Sequence, residues 1–493
     1  MEVITGLLIT EPNAKPYAGK LVIDEGKIAA IIPVPNSTVS FFIVPGFIDS
    51  HAHPIENGLR DIFPDLSPAR SVADVLDLIA GAYAQKQNLP VMLAFNFDPD
   101  AIKEHRYLYR RELDRLSREK PIFVYRLDGH SGIGNSAALV LIPTTQQEGL
   151  ELDGAGKPTG VVRGVAFETL TSILKRKLPS EIIKDAITIT TNYAISRGIT
   201  VLAALVGSDE LTEAEWQIIV DALSSATIRM EPFLQTWKPE IAQRFGLNRI
   251  GGCLLIDGSF GSHTAALIDD YTDAPGFKGI LYHRDEKLIT FISKCCELGL
   301  QTAFHAIGDR AIEQVLKCYE VVVKKHQIKH LRHRIEHAEL LSQDLISRIS
   351  SLGLLLCVQP VFETFWGGPD LMYAQRLGER WRHTSPLRRL VNAGVTVAGG
   401  SDAPVTPLDP LQGIKSAISL PNLSESITPE DALALFTTNA AYSLGMDHQV
   451  GKLEPGWYAD FVILDADPRV NPSCQIIATY CGGRLVYQRS HGK

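Results

Sequence analysis

Short apolar, β-rich runs recur through the middle of this 493-residue chain, at 43–49, 199–205, 228–234, 252–256, 300–305, 332–336, 354–359 and 395–399. Helical stretches separate most of them, for instance D-R-A-I-E-Q-V-L-K-C-Y-E-V-V-V from Asp309 onward. The alternation reads as β/α units, and eight strands are what a (β/α)8 TIM-type barrel needs. Two more strand-like runs, 91–97 and 121–127, fall outside that set. They lie in a segment read as an inserted α+β subdomain, 57–184, capping the barrel mouth. It opens with a helix: Ser71 as N-cap, Asp74 at N3, then an apolar stripe of Val75, Leu78, Ile79 and Ala82.

Both ends of the chain have a different pattern. K-L-V-I-D-E-G-K-I-A-A-I-I reads as a β-hairpin, with Val22 and Ile23 before the turn and Ile28 after it. Near the C-terminus, A-D-F-V-I-L-D and then I-A-T-Y-C-G-G-R-L-V-Y is again strand–turn–strand, with Gly482-Gly483 as a turn. The expected organisation is therefore one small β domain in which the termini pair, residues 1–44 and 448–493, and a barrel from 45–56 and 185–447.

Charge narrows the function. The net charge of −8, without a dense lysine or arginine run, argues against nucleic acid or an anionic membrane surface as the main partner. No apolar run approaches the roughly 18 residues of a membrane span. The N-terminus M-E-V-I-T-G-L-L-I-T has no basic region and reads as a first strand instead of a signal peptide. The seven cysteines contain no C-x-x-C and suit free thiols in a reducing cytoplasm. Vicinal Cys295 and Cys296 read as packing residues near a helix end. Lys175–Lys177 and Lys324–Lys325 read as solvated helix faces.

Candidate chemistry begins at V-P-G-F-I-D-S-H-A-H-P, residues 44–54. Alternate residues of a strand point the same way, so His51 and His53 form a pincer for a transition metal. A single ligand histidine beside a satisfied neighbour stays open on this motif alone. His305 ends L-Q-T-A-F-H, His337 ends R-H-R-I-E-H, and Asp402 follows V-T-V-A-G-G-S. All lie at C-terminal ends of proposed strands, the face on which barrel active sites sit. Asp309 reads as the N-cap of the helix starting at Arg310. Phe362, Trp366 and Trp237 lie near strand ends and suit an apolar pocket, with core packing the expected role of at least one.

P-G-F-I-D-S-H-A-H, D-G-H-S-G-I-G-N-S-A-A-L, D-G-S-F-G-S-H-T-A, H-A-I-G-D-R-A, R-H-R-I-E-H and G-S-D-A-P-V resemble, in order, the motifs of the metal-dependent amidohydrolase superfamily. The similarity is closest to its YtcJ-like branch, which includes N-substituted formamide deformylase, and covers nearly the whole chain. The resemblance implies a distorted (β/α)8 barrel with a composite β-sandwich from both termini (1–44 and 448–493), His51 and His53 on a buried metal, and His305 and His337 on a second metal or facing substrate. It implies Asp402 as ligand and proton shuttle, and one or two divalent ions, zinc first among them. Relatives carry a carboxylated lysine where this chain has Cys253, which is read as a thiolate ligand in its place; a small buried hydrophobe is the alternative. His263 stands where relatives have arginine, with substrate contact, ligation and packing all open. His130 is expected to face substrate, or to be a satisfied structural histidine. Glu336 and Asp49, near in sequence to the histidines, are expected to point away from them.

The implied reaction is hydrolysis of a non-peptide amide, formamide or related C–N bond in a small, partly apolar substrate. A mononuclear deaminase of a heterocyclic amine and a non-catalytic barrel scaffold are the alternatives. Oligomeric state is open, a homo-oligomer included.

Overall fold

The eight apolar runs become eight strands of one parallel sheet. The computed structural model, which describes residues 2–35, 39–127 and 129–490, gives them in chain order as Phe47–Ala52, Ile199–Val206, Arg229–Leu234, Arg249–Leu255, Gln301–Ala306, Arg334–His337, Leu355–Val358 and Val397–Gly399. Each strand pairs with the next in chain order. A parallel bridge between Ala52 and Ala403 leads from beyond the eighth strand back to the first. The His53 amide donates to the Ala403 carbonyl and the Asp402 amide to the His51 carbonyl, both at 2.7 Å. The circle is thus nearly closed as a TIM-type barrel, sealed at the residues expected to carry chemistry. Inside it pack Ile48, Val201, Leu205, Phe233, Ala303 and Ala398, all fully buried. Each of the large side chains among them contributes roughly 1.5–3 kcal/mol by burial.

The run 43–49 serves two sheets and changes hands at Gly46. Phe42–Pro45 leaves the barrel, whereas Phe47–Ala52 enters it. A Cβ at Gly46 would lie 2.3 Å from Thr200 Oγ1, so a larger residue would force the first and second strands apart. Phe42–Pro45 pairs antiparallel with Phe461–Leu464 and parallel with Glu2–Leu8. It thereby joins both termini in one seven-stranded sheet. The two expected hairpins are present. Tyr17–Asp24 and Lys27–Pro33 turn through Glu25-Gly26, and Ile476–Cys481 and Arg484–Gln488 through Gly482-Gly483. All four turn residues have positive φ, as tight hairpin turns require.

The chain divides into two units: Met1–His53 with Thr190–Val206 and Val220–Lys493, and Pro54–Ile189 with Gly207–Ile219. The second has its own five-stranded sheet, in which the expected runs appear as Met92–Phe97 paired in parallel with Ile122–Arg126. Its helix Val72–Gln85 is capped as expected, Ser71 Oγ accepting from the Asp74 amide at 3.2 Å. The buried face is rotated from the expected stripe. Val72, Val75 and Ile79 are buried, and Leu78 is 37% exposed. Lys175 is likewise not simply solvated, because its amine pairs with Glu56 Oε1 at 2.6 Å within the same unit.

Candidate metal centre

The first strand carries two imidazoles out of an apolar run to the closing seam of the barrel. His51 is fully buried, and its Nδ1 lies 2.6 Å from Glu336 Oε2. This corrects the expectation that Glu336 points away. It does turn from its neighbour His337, but it reaches across the sheet to the first strand. Arg334, fully buried, holds Glu336 through Nε to Oε1 at 2.8 Å and NH2 to Oε2 at 2.7 Å, and NH2 also donates to the Ser50 carbonyl. Burial alone would raise the Glu336 pKa, but Arg334 and His51 bring it below its ordinary value. The ionised carboxylate thus accepts from His51 Nδ1 and leaves Nε2 as its outward lone-pair nitrogen. Asp49 also belongs to the seam. Its Oδ1 accepts from the His51 and Ser401 amides at 3.0 and 3.1 Å, and burial pushes its pKa up to about 6.

Cys253 arrives through a bulge. Pairing between the fourth and fifth strands runs regularly to Gly251, then resumes at Leu254. Gly251 and Gly252 take φ of 97° and 93°, conformations that favour glycine. The two extra residues, Gly252 and Cys253, carry the thiol to the two histidines: Sγ is 3.6 Å from Nε2 of both His51 and His53. Tetrahedral zinc, with Zn–S of about 2.3 Å and Zn–N of about 2.0 Å, sets sulfur and nitrogen roughly 3.5 Å apart. The observed spacing fits that distance.

His305, His337 and Asp402 complete the cluster. Ligand atoms of Cys253, His305 and His337 lie within 4.8 Å of one another, as do those of His51, His53 and Cys253, and those of His51, His337 and Asp402. Cys253 therefore belongs to two adjacent groups. Asp402 Oδ1 lies 3.2 Å from Nε2 of both His51 and His53. His337 Nδ1 is hydrogen-bonded to Gln359 Oε1 at 2.7 Å, and its buried Nε2 has no hydrogen-bond partner. His305 Nε2 donates to the Gly258 carbonyl at 3.2 Å, making Nδ1 its lone-pair nitrogen. His337 and Asp402 both have positive φ, 70° and 53°. Such strain in residues other than glycine concentrates at functional sites.

The cluster is internally polarised. Burial opposes ionisation of Cys253 and Asp402, yet the neighbouring imidazoles outweigh it and hold both groups well below their ordinary pKa values. Burial also opposes protonation of His53, but Cys253 and Asp402 raise its pKa to about 10. A thiolate and a carboxylate among four imidazoles, one with an unpartnered buried nitrogen, fit a borderline dication such as zinc.

Asp257, of D-G-S, is a residue that motif reading quoted without a role. Its carboxylate accepts from the Ala266, Ile307 and Gly308 amides at 2.7, 3.0 and 2.8 Å, bracing the loop after His305. Burial raises its pKa to about 7. Asp309 is not an N-cap. Gly308 holds that position, and Asp309 accepts from the Ile268 amide at 2.8 Å.

The remaining candidates separate. Phe362 is buried with its ring stacked 6.1 Å from that of His337, and Trp366 packs on Phe362 at 5.0 Å. Trp237 is half-buried and packs against Phe291 and Phe304, with His283 and Lys287 also on its ring. His263 Nε2 meets Asp273 at 3.0 Å and belongs to none of the metal-ligand groups. His130 is half-buried in the second unit; Asp128 of its motif lies outside the described residues. Cys295 is buried, and Cys296 Sγ lies 3.6 Å from His333 Nε2. No described helix is long and apolar enough to cross a membrane.

Residues 42–487 match the amidohydrolase family. The putative amidohydrolase YtcJ of Bacillus subtilis is 29% identical, over 92% of this chain and 90% of its own length. N-substituted formamide deformylase of Arthrobacter pascens is 26% identical, over 94% of this chain and 90% of its own. An uncharacterized metal-dependent hydrolase from Pyrococcus horikoshii OT3 superposes with a TM-score of 0.76 at 25% identity, covering 95% of this chain and 98% of that one.

Proposed function

The chain belongs to the amidohydrolase family, and on that premise we propose that it hydrolyses a non-peptide amide, formamide or related C–N bond of a small, partly apolar substrate. The observation that carries this reading is the meeting of His51, His53, Cys253, His305, His337 and Asp402 from five barrel strands, in overlapping groups at ligand distances. The similarity to N-substituted formamide deformylase supports the C–N bond as the one cleaved.

His51, His53, Cys253 and Asp402 would hold one divalent ion, and Cys253, His305 and His337 a second, with the thiolate shared. When bound, such an ion lowers the pKa of water from 15.7 to about 7 and polarises a carbonyl oxygen. Asp402 takes a proton from the attacking water and delivers it to the departing nitrogen, so one carboxylate serves as base and then as acid. His337 faces the reacting carbonyl or ligates beside it. Phe362 and Trp366 supply an apolar wall, which suits a substrate with a hydrocarbon portion. His130 and His263 are proposed as substrate contacts.

Asp402→Asn tests the assignment. Metal content by elemental analysis should stay near that of the parent, while turnover of N-substituted formamides falls by at least about 100-fold, the lower range for a lost general acid–base. A variant with full activity removes Asp402 from this role. Release of ammonia from heterocyclic amines, with one metal per chain, would instead favour deamination.

A further inference from the structure

A cavity of about 780 Å3 lies in the first unit, and none of the metal-ligand residues contributes to its wall. Its volume falls in the range of small-molecule pockets, roughly 300–1,000 Å3. Helix Pro410–Ile418 forms one side, and segment 472–476 with Tyr487 of the terminal sheet and Arg489 just after it forms another. The chemistry of the wall is uneven.

Three cations line it, Arg197, Lys415 and Arg489, against one carboxylate, Asp409. That carboxylate is already engaged. Its Oδ2 accepts from Arg197 NH1 at 2.9 Å, and its Oδ1 caps the Gln412 amide at 3.2 Å. Arg489 donates to the neutral Gln475 side chain at 3.0 Å, and among the described residues neither Lys415 nor Arg489 has an ion pair. In a chain of net charge −8, where acids outnumber bases, three cations against one carboxylate in a single wall is a local excess. Leu411, Ile476, Pro421 and Pro472 add apolar surface beside them.

We infer that this cavity binds a small organic oxyanion, a charged head on an apolar body. Lys415 and Arg489 hold the head, and Leu411 and Ile476 pack the body. A guanidinium presents parallel donors to carboxylate or phosphate, and ammonium adds a point charge. The apolar wall separates this ligand from a bare inorganic ion, which would gain nothing from it.

Calorimetric titration of the metal-loaded enzyme with phenyl phosphate and, separately, benzoate tests the inference. At least one should bind saturably to the parent, more tightly than inorganic phosphate. The double variant Lys415→Glu, Arg489→Glu should bind it at least about tenfold more weakly, a change of some 1.4 kcal/mol. Turnover of that variant should stay within about twofold, since an exposed charge change away from the chemistry is small in effect. Lys415→Gln, Arg489→Gln serves if the reversal fails to fold. Binding unchanged in the variants would place these anions at the metal centre and overturn the inference, as would no binding of either probe to the parent. Inorganic phosphate binding as tightly as phenyl phosphate would remove the apolar half of the site.

Discussion

Two histidines of the same motif, His333 and His337, stand four residues apart at opposite ends of the sixth barrel strand. Both are buried, yet they do different things. At the N-terminal end, His333 Nδ1 accepts from the Thr302 amide at 3.0 Å and lies 2.8 Å from Thr302 Oγ1, while Nε2 faces Cys296 Sγ. Both nitrogens are used within the chain, and burial lowers the pKa to about 3. At the C-terminal end, His337 is held through Nδ1 alone, and its Nε2 points among other ligand atoms. In barrels of this type the C-terminal face carries chemistry and the N-terminal face carries stability. Burial and residue type are the same for this pair, and what separates them is the second nitrogen: His333 has a neighbour on each, whereas His337 Nε2 has no hydrogen-bond partner.

Substitutions can press on that contrast. The largest expected effect is at the C-terminal end. His337→Ala should reduce turnover to background while leaving the chemical unfolding midpoint at neutral pH close to the parent's. An unfolded or fully active variant would erase the distinction. Next is the N-terminal end. An unfolded histidine titrates near 6.5, whereas folded His333 resists protonation until about pH 3. Between those values the unfolded state binds the extra proton, so stability is complete above pH 6.5 and falls as pH drops. By pH 4 the loss is roughly 3 kcal/mol. Urea unfolding at pH 7 and pH 4 should show that part of the loss in the parent and not in His333→Gln; parallel curves would contradict it.

Smaller effects should follow from what holds each ligand. Glu336→Gln keeps shape but removes the charge behind His51, and should weaken metal affinity by roughly 10–100-fold in competition with a chelator. Gln359→Leu removes a neutral acceptor behind His337 and should cost about tenfold, the lower end of that range. Equal losses would mean that the carboxylate does no more than an amide.

Much of the barrel was legible because its strands are continuous apolar runs that end at His51, His305, His337 and Asp402, where polarity changes abruptly. The division at Gly46 was not, because an apolar run looks alike whichever sheet it joins; the close approach of Thr200 is a tertiary fact. Glu336 was misread for a related reason. Strand alternation says which way a side chain points relative to its neighbours, not which strand lies beyond it. A signal was available: Arg334 and Glu336, two charges on one face of a buried strand, need a reason to be there. Cys253 was found through its departure from the family's lysine, yet the bulge that delivers it depends on φ at Gly251 and Gly252, which no periodicity reveals.

The central claim is that Cys253 sulfur is a metal ligand shared between two positions. Zinc-edge X-ray absorption on the fully loaded protein tests it most directly. The account predicts a sulfur scatterer at about 2.3 Å from zinc, present with two zinc ions per chain and absent from Cys253→Ser. A loaded protein with only nitrogen and oxygen neighbours around zinc would contradict it.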